Sequence, residues 1–386
     1  MTRRRTVSPA PVASLDGDQV LAWRLRRQHL ECRAPEARTL GVVADIAGLH
    51  AQVMSSAELT LWARVEGLAP SAVARDLWED RRLVKTWAMR GTLHLLPAAE
   101  LPLWCAAQGI LKPRHHAPSW LRFHGLTRPE ADAMLAAIPV ALDGHPLTRE
   151  ELAAAVARLA GVDHLAEKLR GGFGDLLKPA AFRGDLCFAP SLGQQVRFTR
   201  PDRWLPAWEP VDTERAAQEV ARRYLAAYGP ATRDAFARWF GGASPAQAER
   251  LFRSLGDAVA TVDVAGEPAW MLAADVADVA AARPRGVVRL LPAFDQYVVT
   301  APRAHDAVLP AAYRERVYRP QGWLSPVLLV DGRIEGTWRH ERKGDRVTVE
   351  IAPFGDPPAA TRRAAEEEAA RLAAFLVGNL DLRWDT

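Results

Sequence analysis

Lysine is scarce in this chain of 386 residues: Lys85, Lys112, Lys168, Lys178 and Lys343 are the only lysines among fifty basic residues, and arginine supplies the rest. An arginine fork suits phosphates and base edges better than an ammonium group does. GC-rich coding produces the same excess, so the composition permits nucleic-acid binding without showing it. Cysteine is scarcer still. Cys32, Cys105 and Cys187 are odd in number, far apart and without a Cys-x-x-Cys pair. That argues against a disulfide framework and against a zinc site, and it fits a reducing cytoplasm. No apolar run reaches the ~18 residues of a membrane span. The start, Met1-Thr-Arg-Arg-Arg-Thr-Val-Ser-Pro, is basic but no apolar stretch follows it, so a signal peptide is not expected.

Other chemistries lack their signatures. There is no Gly-x-x-x-x-Gly-Lys-[Ser/Thr], and Gly171-Gly-Phe-Gly174 does not follow a strand, which argues against a phosphate loop. No Gly-x-Ser-x-Gly elbow occurs. His115-His116 and His340 lack partners at metal spacings. A metal-free protein without a cofactor is therefore expected.

What the chain does have is a repeated order of elements. The length suits two to four compact units. Helices are expected over 18–30, 36–53, from a Ser55–Glu58 capping box to Arg64, and over 70–80, before strands 83–89 and 92–96. A second segment offers helices near 128–138, 148–159 and 163–177, then strands 185–189 and 195–199. A third offers helices 212–227, 232–239 and 244–255, then two strands flanking Ala265-Gly-Glu-Pro. Helices followed by a hairpin, three times over, is the recipe of the winged helix. Short strands at 287–291, 298–300, 326–330, 333–337 and 347–351 follow, with Asp331-Gly332 as a hairpin turn, and a helix over 357–377. The expected class is mainly α with β-hairpins (α+β): a basic disordered arm (1–17), three winged-helix modules (18–118, 119–205, 206–284) and a β-rich extension (285–386). No dimerisation helix stands out, so a monomer is expected.

His50 falls on the same apolar helical stripe as Val43, Ile46 and Val53, where a buried, hydrogen-bonded core histidine is the default and catalysis the alternative. Gln52 converges with it only if the helix ends there. Arg90, Thr92 and His94 sit on the first hairpin, Thr92 and His94 on one side of the strand. They read either as a wing contacting DNA or as a solvated hairpin. Trp204 and Trp208, in a Pro-flanked segment, are free to contact a ligand.

Four stretches together resemble the winged-helix DNA glycosylases related to AlkZ and YcaQ. They are Leu49-His50-Ala51-Gln52 with Leu61-Trp62-Ala63-Arg64, then Trp87-Ala-Met-Arg90-Gly-Thr92-Leu-His94. Leu290-Leu-Pro-Ala-Phe294-Asp295-Gln-Tyr297 and Val317-Tyr-Arg-Pro-Gln-Gly-Trp323 complete the set. The resemblance implies a C-shaped stack of three winged helices with DNA in its concave face. The family's catalytic motif is Gln, an apolar residue, then Gln or Asp; here His50 replaces the first Gln and Gln52 matches the last position. The substitution resembles variants associated with clusters that make bulky intercalating guanine alkylators. The expected function is excision of cationic N7- or N3-alkylpurines from duplex DNA, as self-resistance or repair, with His50 and Gln52 catalytic. Arg90, Thr92, His94, Arg27 and Arg339 are the expected DNA contacts. The rival is a non-catalytic winged-helix regulator or drug-sequestering protein.

Overall fold

A computed structural model describes residues 11–111, 114–172, 174–301 and 307–385. Its class is mixed α+β, built from four sheet-bearing units. In the first, helices Thr39–Asp45 and Met54–Trp62 flank the short strand Leu49–His50. A further helix, Ala72–Ala74, runs into a π-turn at Arg75–Glu79 and leads to strands Leu83–Trp87 and Leu93–Pro97. The last strand lies in the middle of the sheet, pairing antiparallel with both others.

The second unit repeats this order, with helices Arg128–Ala141, Arg149–Ala160, Leu165–Arg170 and Lys178–Arg183 and strands Leu147–Thr148, Cys187–Leu192 and Gln195–Thr199. Again the last strand is central. Thr127 and Thr148 open its first two helices with reciprocal capping boxes to Glu130 and Glu151, satisfying backbone donors that would otherwise be orphaned. The third unit has helices Thr213–Tyr228, Arg233–Phe240 and Pro245–Ser254 before the hairpin Val259–Val264 and Glu267–Leu272. Ala265 and Gly266 both take positive φ in its two-residue turn, the conformation that matches strand twist. Ala231 bridges to Trp270 where the other units place their first strand.

A five-stranded sheet, Val288–Leu291, Val327–Val330, Arg333–Lys343, Arg346–Pro353 and Asn379–Trp384, closes the chain under the helix Ala359–Phe375. It is not an appendage. Its apolar face shares one core with the first unit, in which Leu61, Trp62 and Val65 pack with Leu291, Val327 and Leu372. Across that seam Arg64 pairs with Asp295 at 2.7 and 2.8 Å, both side chains fully buried. Arg33 pairs with Glu368, and Arg371 donates to the Trp62 carbonyl.

Several expectations need correction. The helix placed over 36–53 ends near Asp45, because Ala47 (φ 57°) and Gly48 (φ 93°) turn the chain into the strand that carries His50. A Cβ on Gly48 would also strike Leu96 at 2.6 Å. The next helix starts at Met54, and the Ser55 capping box does not form: Val53 is the N-cap and makes no side-chain bond. Residues 298–300 belong to a helical turn, Gln296–Thr300, rather than a strand. The helix expected over 163–177 is Leu165–Arg170 only, and a separate one, Lys178–Arg183, starts beyond that range. The arm is not wholly disordered, since Ser14–Leu15 pairs in parallel with Asp263–Val264 of the third unit. Its basic residues 3–5 lie outside the described residues. The strand Asn379–Trp384 was not anticipated. Among the described residues no helix is long and apolar enough to cross a membrane.

Candidate active site

His50 ends a strand whose partner is the central strand of the first sheet, directly opposite His94. Only 7% of it is exposed. Phe294, delivered by the C-terminal sheet, stacks on the His50 ring at 5.2 Å and 15°. His94 meets the same ring edge-on at 5.7 Å. His50 Nδ1 is buried and has no hydrogen-bond partner among the described residues, so this is not the satisfied core histidine of an apolar stripe. Burial, aided by the positive charge of Arg90, pushes its pKa down to about 4. The ring is therefore neutral at physiological pH.

The segment that delivers Phe294 also fixes the strand. Gln296 donates from Nε2 to the Gly48 carbonyl, and its Oε1 is buried without a partner. Asp295 anchors the segment on Arg64 and accepts from the Tyr297 amide at 2.8 Å. Phe294 itself sits at φ 59°, a strained value for an aromatic residue. None of these roles was singled out from the sequence. The available signal was the density of polar and aromatic residues in Phe294-Asp295-Gln296-Tyr297, read there only as part of a resemblance.

Gln52 is exposed. The Ala51 amide still donates to Leu93 O at 2.8 Å, and the chain then leaves the strand through a bend at Gln52 and Val53.

The first hairpin does not match either reading made of it. His94 is fully buried rather than projecting from a wing: its Nδ1 lies 3.0 Å from the Thr92 carbonyl and its Nε2 has no partner among the described residues. Burial, then the neighbouring Arg90 and His50, hold it well below the usual histidine range. Thr92 turns its hydroxyl back to Met89 O at 3.1 Å. Arg90, at φ 59°, is half-buried and docks on the third unit, donating to Trp239 O at 3.1 Å while its Nη2 has no partner among the described residues. A Cβ on Gly241 would lie 2.5 Å from Arg90 Cα, so only glycine admits this approach. Buried polar atoms without partners are costly, and three of them, on His50, His94 and Arg90, cluster here.

The remaining candidates lie elsewhere. Arg27 donates to Ala226 O at 2.8 Å and serves to dock the first helix on the third unit. Arg339 is exposed on the C-terminal sheet and bonds Glu350 at 2.7 Å. Trp204 lies under Arg81 at 3.7 Å. Trp208 lines a cavity of about 780 Å³, together with Arg90, Cys105, Trp120, Phe182 and Lys178. The fold also brings Asp132 to the His115-His116 pair, with all three ligand atoms within 4.8 Å, although His116 already bonds that carboxylate at 2.9 Å.

A family model described as DNA glycosylase AlkZ-like matches residues 43–375. An interstrand DNA cross-link repair glycosylase of Streptomyces sahachiroi is 38% identical over 363 residues, spanning 92% of this chain and 95% of that protein. Among solved structures, the Streptomyces sahachiroi DNA glycosylase AlkZ is similar with a TM-score of 0.87 and 36% identity, over 96% of this chain and 100% of that one.

Proposed function

The chain belongs to the AlkZ-like DNA glycosylase family, and from that premise we propose that it excises cationic N7- or N3-alkylated purines from duplex DNA. Bulky natural-product adducts, and one arm of a crosslink such as its relative's name implies, are the lesions proposed, in self-resistance or repair. The reading takes the three helix-and-hairpin units as winged helices, at 18–118, 119–205 and 206–284, acting as a monomer in the cytoplasm. The sheet order shared by the first two units, with the last strand central, and the Ala231–Trp270 bridge in the third support it.

The observation that carries the chemistry is a neutral, buried His50 whose Nδ1 is left unsatisfied among the described residues, two positions before an exposed Gln52. An alkylated purine already carries positive charge. When the bond from the anomeric carbon to the base nitrogen breaks, the electron pair neutralises the leaving base, and no protein acid is needed. Water then attacks the oxocarbenium-like sugar. The His50 imidazole accepts the proton of that water, and the Gln52 carbonyl oxygen orients it. With a pKa near 4, His50 is a weak base that sheds the proton to solvent at once. Weak basicity suffices, because the electrophile is a cation rather than a neutral carbon.

The test is excision of N7-methylguanine from a duplex in EDTA, followed by cleavage of the abasic site with base. His50→Ala and Gln52→Ala should each slow it about 10²–10⁴-fold, the range of general-base losses. The double variant should lose less than the sum of the singles in free energy if both act on one water. Strands left intact by the wild type, with this lesion and with a bulkier adduct, would reject the reading in favour of a DNA-binding regulator.

A further inference from the structure

Beyond the pair at His50, one large aromatic residue stands half out of the surface. Trp323 is 52% exposed, among the largest apolar groups left on the surface. It stands edge-on to Phe294 at 5.0 Å and 82°, and Phe294 in turn stacks on His50. A ladder of rings thus runs from the proposed base out to solvent. The turn that presents Trp323 is built rather than loose. Gln321 and Gly322 both take positive φ, at 59° and 78°, a strained choice for glutamine. Tyr318 bridges to Leu324, and Arg319 N donates to Trp323 O at 2.8 Å, so the turn is closed at its base. Arg319, exposed, stands at its start, while the Arg316 guanidinium lies over Phe354 at 4.9 Å. An exposed arginine beside an outward tryptophan is the composition of a stacking platform on nucleic acid, where the aromatic face takes a flat ring and the cation takes phosphate.

We infer that Trp323 is a stacking subsite for the planar aromatic body of a bulky adduct, and so a specificity residue rather than a catalytic one. The inference rests on the proposed excision of alkylpurines. A sugar poised for attack at His50 leaves its purine beside Phe294. Trp323 lies one ring spacing further out, where a polycyclic substituent on that purine extends and the purine itself does not reach. A methyl lesion has nothing to place there.

Two substrates separate the possibilities: a duplex with N7-methylguanine, and one alkylated at guanine N7 by an epoxide-bearing polycyclic intercalator. Trp323→Ala, at an exposed position, should melt with the wild type. It should lower kcat/KM on the bulky adduct about 5- to 100-fold, as lost stacking does, and leave methylguanine excision within about twofold. Trp323→Phe should recover most of the loss. The tryptophan emission of the wild type should quench more on binding the bulky-adduct duplex than that of Trp323→Phe. Equal losses on both lesions would mean that Trp323 stacks on DNA bases, and no loss on either would make it a bystander; both overturn the inference. If the wild type excises neither lesion, the proposed activity fails, and the quenching difference alone then decides for or against the subsite.

Discussion

If His50 stays neutral because it is buried beside Arg90, excision should be insensitive to pH where an ordinary histidine would titrate. The magnitude follows from the pKa of about 4 against the usual 6.5. At pH 5.5 a group with the lower value is about 97% neutral, whereas one with the ordinary value is only about one-tenth neutral. The rate set by neutral His50 should therefore change by less than about 10% between pH 7.5 and 5.5, instead of falling roughly tenfold. The quantity to follow is kcat/KM on an N7-methylguanine duplex, since it reports groups of the free enzyme. Spontaneous depurination, measured without protein, is subtracted at each pH. Arg90→Met supplies the internal control. Removing that charge takes away one of the two causes of the depression, so the acid limb should move toward neutral pH while the plateau survives. A tenfold loss in the wild type by pH 5.5 would refute the argument, because His50 would then titrate as though solvated.

Asp295→Asn should cost about 3–5 kcal/mol, read as a lower denaturation midpoint, since it leaves Arg64 charged and buried opposite a neutral group. A thiol reagent at pH 8 should modify Cys32 first: Cys32 is exposed, while burial pushes the Cys105 thiol up to about 12 and Cys187 higher still. Peptide mapping after brief exposure to the reagent would show it. Arg339→Ala should flatten the dependence of log affinity on log salt by about 0.9 if Arg339 neutralises one phosphate. Arg27→Ala, whose side chain is engaged with Ala226, should leave that slope unchanged.

The legible parts of this chain were the helices whose apolar spacing is local. The boxes at Thr127 and Thr148 went unremarked, and the Ser55 box that was expected does not form; the helices were legible from apolar spacing, and the 265–266 turn from its own residues. What escaped was decided by distant partners. Nothing local to residues 43–53 says that Ala47 and Gly48 break the helix. That break is fixed by Leu96 and by the Gln296 side chain, which take the place of another turn. His50 and Gln52 could be picked out as a pair, but His50 ends a strand rather than a helix, and Gln52 follows in a bend. The first hairpin was misread for a related reason. Alternation places Thr92 and His94 on one side, yet which side faces solvent depends on the strand carrying His50 and on a third unit some 150 residues later.

The seam between Arg64 and Asp295 also sets a schedule. These residues are 231 positions apart. At roughly 5–20 residues per second, the ribosome delivers Asp295 and Phe294 some tens of seconds after His50. Until then the first unit has half a core, one unpaired buried-type cation and no ring over its histidine. A message truncated before Phe294 yields a chain without the ring that stacks on His50.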